Sequence, residues 1–431
     1  MEQLLEAEPD RATCKNESSF WRSPAAWVLK NNLSREFWIF FAVAFFFDFG
    51  FSVYFFLFNL FLLDLHFNER TIGLVGGALT LGSVVGTLPV GWLARRTGLR
   101  PLLLCCMIAA PLMGIARATV MQESAQIGLA FLAGLAMCLW AVCFLPTLAS
   151  LTTAENRASA FSLIFSVSIG TSALGGLVCG YLPQWLKMAG YAMQAAEVKR
   201  LILIVSCGIA MLGLIPLLGL RLPLRHAEPH SADKTGKRPW KLHPFLLRFL
   251  PSMALWTAVL ASFTPFANVY LSRDLHISLS QIGLIFSVAQ VVQLCVGLLT
   301  PLVFRWLGLV HGIVATQAAT AAAMACLAGT QNRGLAVALY LSFSATQWMS
   351  SPGLYNLLMS KIPEKERSTA SAATMFCNAV LGSLATAGAG ILFAQFGYPR
   401  VLVGIAALAL AAALLFRGLV APADIRIPYQ T

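Results

Sequence analysis

Charge is what this sequence has least of. Asp, Glu, Lys and Arg make up 11% of its 431 residues, against roughly 25% in an ordinary soluble domain, and 58% are hydrophobic against about 45–50%. A soluble globular fold is thereby excluded for most of the chain. No nucleotide-binding loop of the form G-x-x-x-x-G-K-[ST] occurs, which argues against direct drive by ATP or any nucleotide partner. The ten cysteines show no C-x-x-C spacing, and all but Cys14 fall in apolar stretches, where they read as small buried hydrophobes. The six histidines (His66, His226, His230, His243, His276 and His311) fall in loops or at helix ends, so no intramembrane metal site and no cofactor are expected. The apolar stretches also lack a Ser/His/Asp set, and nothing marks an enzyme. The N-terminus opens with Glu2, Glu6, Glu8 and Asp10 in place of a basic n-region, so a cleaved signal peptide is not expected.

What the chain has in abundance is apolar runs long enough to cross a bilayer, which needs about 20 residues for a core of about 30 Å. They fall near 37–63, 71–94, 101–121, 126–150, 158–182, 200–220, 247–271, 280–304, 310–330, 334–360, 368–396 and 399–420. Twelve crossings put both termini on one side. Of the 30 Lys and Arg residues, 22 fall on that side and eight on the other. The positive-inside rule then places both termini in the cytoplasm of a multi-pass plasma-membrane protein. The net charge of +12 thus reports topology, and nucleic acid is not expected as a partner. The polar, proline-punctuated segment Arg221 to Pro244 divides the spans six and six. The expected organisation is a tail (1–36), a six-helix bundle (37–220), a cytoplasmic linker (221–246), a second bundle (247–421) and a short tail (422–431).

The two bundles repeat one another. Asp64-Leu65-His66 and Ile72-Gly73-Leu74 recur as Asp274-Leu275-His276 and Ile282-Gly283-Leu284, and the same offset of 210 pairs Arg95 with Arg305, Gly98 with Gly308, Arg157 with Arg367 and Gly180 with Gly390. Six helices is an even number, so the halves share one orientation and a pseudo-two-fold axis along the membrane normal. A central cavity between them is the expected binding site. Asp64, Asp274, Asn68 and Ser278 precede helices and read as groups that start them.

Between the second and third spans stands Gly91-Trp92-Leu93-Ala94-Arg95-Arg96-Thr97-Gly98-Leu99-Arg100. This resembles the cytoplasmic loop signature of the major facilitator superfamily, G-x-L-A-D-R-x-G-R-K, with agreement at Gly91, Leu93, Ala94, Arg96, Gly98 and Arg100. The resemblance implies an all-α membrane fold of twelve transmembrane helices in two six-helix halves. Arg95 stands where the family has an acid that helps close the cytoplasmic side. Glu155 beside Arg157, the run Glu364, Glu366 and Arg367, and the repeat mate Arg305 are the candidates for making that lock differently. A solvated basic loop accounts equally well for any single arginine. The fifth span carries Gly170, Gly175, Gly176 and Gly180, somewhat like the glycine-rich signature of superfamily antiporters, but Thr171-Ser172 replaces the expected Gly-Pro. Small residues so spaced also let helices approach closely.

Asp48 is the one acidic residue at mid-depth, and Ser52, Phe55 and Asn59 follow it on one helical stripe. Intramembrane acids mark function by default, and a carboxylate there can bind and release a proton through a transport cycle. Further polar stripes lie in the seventh span (Thr257, Thr264, Asn268), the eighth (Gln290, Gln293) and the tenth (Ser344, Trp348, Ser351, Tyr355), with Asn378 alone in the eleventh. In the family the first, fourth, seventh and tenth helices line the cavity, so the resemblance adds Trp140 and Thr147. Hydroxyls, amides and aromatic rings suit a neutral or amphipathic small molecule, although helix-packing contacts would use the same residue types. The expectation is alternating-access transport of a small organic solute, coupled through Asp48 to protons and directed toward efflux. Uptake of a polar nutrient and a non-transporting ligand sensor are the alternatives.

Overall fold

The computed structural model describes residues 33–153, 156–190, 194–222, 244–363 and 366–420. With no water at mid-membrane to satisfy backbone N–H and C=O groups, an apolar chain resolves into helices. The spans in order are the first (Arg35–Asp64), second (Glu69–Thr97), third (Leu99–Thr119), fourth (Glu123–Ser150) and fifth (Arg157–Met188). The sixth is Ala195–Leu212, continued by Leu214–Gly219. The seventh is made of Pro244–Phe263, a 3-10 turn at Thr264–Phe266, and Ala267–Arg273. The eighth (Leu279–Leu307), ninth (Leu309–Gly329) and tenth (Arg333–Lys361) follow. The continuous helix Arg367–Leu419 holds the eleventh and twelfth, divided where Gly397 takes φ 74°.

Ten of these segments are long and apolar enough to cross a membrane. The tenth span matches them in length but is diluted by polar residues, and the division at Gly397 makes the twelfth crossing among the described residues. A 29-residue span is about 43 Å long at 1.5 Å per residue, so it clears the hydrocarbon core with a turn or two to spare. The expected linker falls largely on residues 223–243, outside the described residues, and the seventh helix begins at Pro244. Residues 1–32 of the expected first tail, the last residue of the expected second bundle and the whole of the expected tail 422–431 also lie outside them.

The repeat is visible in the backbone. The second, third, fourth and fifth spans start at 69, 99, 123 and 157, and the eighth to eleventh start at 279, 309, 333 and 367. His66 and His276 take the left-handed conformation (φ 63° and 51°), as do Gly98 and Gly308 (φ 83° and 77°). These turns reverse the chain between helices, and a side chain at φ > 0 is uncommon outside glycine. Asn68 caps the second span, accepting from the Thr71 N–H at 3.0 Å, and Ser278 with Gln281 forms a capping box on the eighth. Asp64 and Asp274 do not start helices as expected. Asp64 closes the first span and pairs with Lys199 at 2.7 Å, and Asp274 follows the last residue of the seventh.

The end of the molecule bearing Arg35, Gly98, Gly308 and Leu419 is called here the terminal face, and the end bearing His66 and His276 the distal face. The halves meet on the distal side, where the second span packs on the eleventh and the fifth on the eighth. Gly73 approaches Gly390, and Gly180 approaches Leu279 and Ser280, so closely that a Cβ on any of these glycines would meet backbone. Toward the terminal face the halves diverge, and Leu88 and its repeat mate Leu298 are 76% and 74% exposed. Phe45, Leu112, Val205, Val403 and Leu414 belong to an exposed apolar surface suited to lipid. Five cysteines are buried as expected, but Cys105, Cys295 and Cys326 are exposed. In a bilayer an apolar thiol loses nothing by facing outward.

Candidate functional site

Where the halves diverge they leave a cavity of about 530 Å³. Its first wall is the stripe read from the sequence: Asp48, Ser52, Phe55 and Asn59 all face it, and Phe47, Phe51 and Phe56 of the same span line it beside them. Trp140 reaches it from the fourth span, with Met137 and Phe144. Thr264, Pro265 and Asn268 reach it from the seventh, and Phe286 and Gln290 from the eighth. Asp48 is the one charged side chain among the described residues that line it. The residue at the corresponding position of the second half, at the offset of 209 that relates these two spans, is Thr257, which pairs with Asn378 as Asp48 pairs with Ser168, so the carboxylate is not duplicated with the frame.

Two residues that sequence reading left unassigned complete the polar corner. Ser168 of the fifth span donates its hydroxyl to Asp48 Oδ2, and Ser172, one turn further on, lies 3.2 Å from Ser52 Oγ. Ser52 also donates to the Asp48 backbone carbonyl at 2.6 Å. The two serine contacts each span 120 residues, because the first and fifth spans run parallel at matched depth. Gly175, next to this corner, lies against Ser52 and Val53, which is how the glycine-rich fifth span comes near enough for hydroxyl contact. Gly170 has open space around it and plays no part in that approach.

The distal roof of the cavity is a reciprocal pair. Asn59 Nδ2 donates to the Pro265 carbonyl at 2.7 Å, and Asn268 Nδ2 donates to the Phe56 carbonyl at 2.8 Å. Both residue pairs are 209 apart in sequence (268 − 59 and 265 − 56), so the two bonds are mates across the pseudo-two-fold axis. Pro265 also lacks the N–H that would bind the Ala261 carbonyl, and the Thr386 hydroxyl takes that place at 3.0 Å. Above the roof, Nη1 of Arg273 donates to both carboxylate oxygens of Glu69 at 2.7 and 2.8 Å, tying the seventh span to the second.

Seven expected cavity residues do not line this cavity. Thr147 is fully buried within the first half, Thr257 donates to Asn378 Oδ1 at 2.9 Å, and Gln293 donates to Ser344 at 2.6 Å. Both pairings are internal to the second half, where polar side chains bind helices together. Trp348, Ser351 and Tyr355 lie lower in the tenth span, on the terminal side, with Trp348 and Tyr355 exposed. The loop residues are likewise apart from it. Gly91 has open space around it, and Arg95, Arg157, Arg305 and Glu366 are exposed at the terminal face. Arg96 stacks over Trp92 at 4.0 Å, Arg100 donates to the Leu218 carbonyl at 2.9 Å, and Gly98 makes the turn. None of these charged groups is in an ion pair with a described residue. Glu155, Glu364 and the side chain of Arg367 lie outside what is described.

A duplicated bundle of twelve membrane helices around a cavity at mid-depth, sealed on one side and open toward the other, is the architecture of a secondary transporter. The chain belongs to the Major Facilitator Superfamily, whose profile matches residues 40–387. No curated protein matches it in sequence. Among solved structures it is similar in fold to the nucleoside transporter NupG (D323A mutant), with TM-score 0.74 and 13% identity over 90% of this chain and 100% of that one. It is similar also to a D-xylose-proton symporter, with TM-score 0.72 and 16% identity over 89% and 97% of the two chains. An inward-open xylose transporter, XylE from E. coli, gives TM-score 0.68 and 15% identity over 89% and 95%. Family membership makes the chain a transporter rather than an enzyme.

Proposed function

We propose that the protein moves a small amphipathic organic solute in exchange for protons, with Asp48 as the proton-carrying group and export as the direction. The observation that carries this reading is the placement of Asp48 as the lone charge on an otherwise aromatic and neutral-polar cavity wall. An uncompensated carboxylate at the centre of a membrane costs about 2.5–3.5 kcal/mol on the insertion scale. Binding a proton or a solute removes that cost, and so makes the rocking of the halves conditional on occupancy.

Hydroxyl, amide and ring groups on one wall suit a solute with an apolar body and few polar groups. Such a molecule crosses lipid unaided down its gradient, and a carrier is needed to move it uphill, out of the cell. In this reading the terminal face is cytoplasmic, in keeping with its basic residues, and the membrane is the plasma membrane. The bundles 37–220 and 247–421 are the rocking units and 221–246 is their tether. Closure of the terminal face engages Arg95, Arg96, Arg100 and Arg157 with Arg305, Glu364, Glu366 and Arg367, Glu155 supplying a further carboxylate.

The test is flux in proteoliposomes. Wild-type protein should accumulate solute against its gradient when a pH gradient is imposed. Asp48→Asn should lose on the order of tenfold or more of that driven flux, about 1.4 kcal/mol, while solute counterflow at equal pH persists. Driven flux indifferent to pH, with Asp48→Asn fully active, would sink the proposal. Solute that follows protons inward indicates nutrient uptake instead. Failure of counterflow for every ligand that stabilises the protein indicates a sensor.

A further inference from the structure

The aromatic rings at the cavity form a chain rather than a scatter. Phe165 lies 6.4 Å from Phe144, Phe144 5.2 Å from Trp140, Trp140 4.3 Å from Phe47, Phe47 4.7 Å from Phe51, and Phe51 5.7 Å from Phe55, centroid to centroid. All six line the cavity. Aromatic stripes on membrane helices are commonly packing alone. This one differs because the same cavity holds a carboxylate, and because no Lys, Arg or His is among the described residues that line it.

The three charge types of solute fare differently there. An anion meets Asp48 and finds no cation to hold it. A neutral solute leaves the ionised carboxylate uncompensated. A cation pairs with the carboxylate and lies against ring faces, whose quadrupole attracts positive charge. One oxygen of Asp48 is engaged by Ser168, and the other accepts no hydrogen bond from a described residue, which leaves it open to the cavity. Ser168 is the group that faces the carboxylate from the fifth span, with Ser52 and Ser172 beside it, and all three are uncharged. Among the described residues, the rest of the cavity wall offers no titratable group.

We propose that the solute is an organic cation with an aromatic or apolar body, paired with Asp48 against the wall that runs from Phe165 to Phe55. Proton and cation then compete for one carboxylate. The inference rests on the transporter reading above, but its test does not depend on transport.

The test uses two probes of nearly the same shape and opposite charge, tetraphenylphosphonium and tetraphenylborate, in equilibrium dialysis with the purified full-length protein. Tetraphenylphosphonium should bind saturably and tetraphenylborate should not. The phosphonium affinity should fall about tenfold in Asp48→Asn and severalfold in Trp140→Leu. Acidification should weaken phosphonium binding to the wild type and leave Asp48→Asn unaffected. Each variant is checked by thermal unfolding, and where one fails to fold, the probe pair and the wild-type pH response decide. Equal binding of both probes overturns the inference, as does phosphonium binding that responds neither to pH nor to Asp48→Asn. Phosphonium binding with no pH-driven flux of any solute supports this inference and sinks the coupling proposed above. Driven flux of a neutral solute, with no phosphonium site, does the reverse.

Discussion

Asp64 and Asp274 occupy equivalent places in the two halves and meet different surroundings. Asp64 faces Lys199 across 2.7 Å, whereas Pro399 and Leu402, the twelfth-span residues that share a cavity with Asp274, carry no charge. Asp274 is left with a carboxyl held above its ordinary value of 3.8, chiefly by burial. His276 pulls it back and the charge of Glu69 pushes it further up. A folded-state value above the unfolded one means that the fold gains from the protonated form. That gain is full below 3.8 and is lost as pH rises through the folded value. Asp274→Asn should therefore raise the thermal midpoint modestly at neutral pH, with the advantage shrinking on acidification. A variant no more stable than wild type at neutral pH would contradict this. The same scale shows what the sequence could not disclose at the cavity. Asp48, Ser52 and Asn59 were legible as a stripe, because polar residues at helical spacing in an apolar span are conspicuous. Ser168 was not, because serine among small residues in the fifth span has the same composition whether it serves packing or a carboxylate 120 positions away.

At the level of helices, the distal seal is made of symmetric contacts between small residues. Gly73 meets Gly390, and their repeat mates Gly283 and Gly180 meet one another. Ser383 donates to the Gly77 carbonyl at 2.7 Å, and Ser287 to the Ala173 carbonyl at 2.6 Å, again mates of each other. The repeat made these glycines visible but concealed their partners, since an offset of 210 links Gly73 to Gly283, its equivalent, and not to Gly390, its contact. A Cβ at Gly73 would sit 2.8 Å from the Gly390 Cα and the Thr386 carbonyl oxygen, both backbone, so the second and eleventh spans must part to admit it. Overpacking of this kind costs about 1–3 kcal/mol, enough to tilt a balance between two arrangements of the halves. Gly73→Ala should favour opening on the distal side. Spin labels at Leu88 and Met375, both exposed on the terminal half of facing spans, should show a shorter distance in Gly73→Ala than in the parent cysteine-free protein. An unchanged distance distribution would refute the seal.

For the molecule as a whole, twelve crossings and two like halves were readable because the bilayer imposes length, apolarity and charge asymmetry on every span. The arrangement of the halves was not readable, because one sequence must encode every arrangement of a rocking pair. That is why Arg95 and its neighbours, legible as a loop signature, make no ion pair with a described residue on the open terminal face. Asp48 has an uncharged counterpart, Thr257, in the second half, and in the exchange proposed above this one-sidedness sets a stoichiometry. A single carboxylate that trades one proton for one monovalent cation moves no net charge, so the membrane voltage does no work on the exchange. The pH difference alone then sets the limit, and one unit of it sustains about a tenfold ratio of solute, 1.36 kcal/mol. Flux measured at clamped potentials, with potassium and valinomycin, should not change when the voltage does. A voltage-dependent flux would mean that a second charge travels with the first.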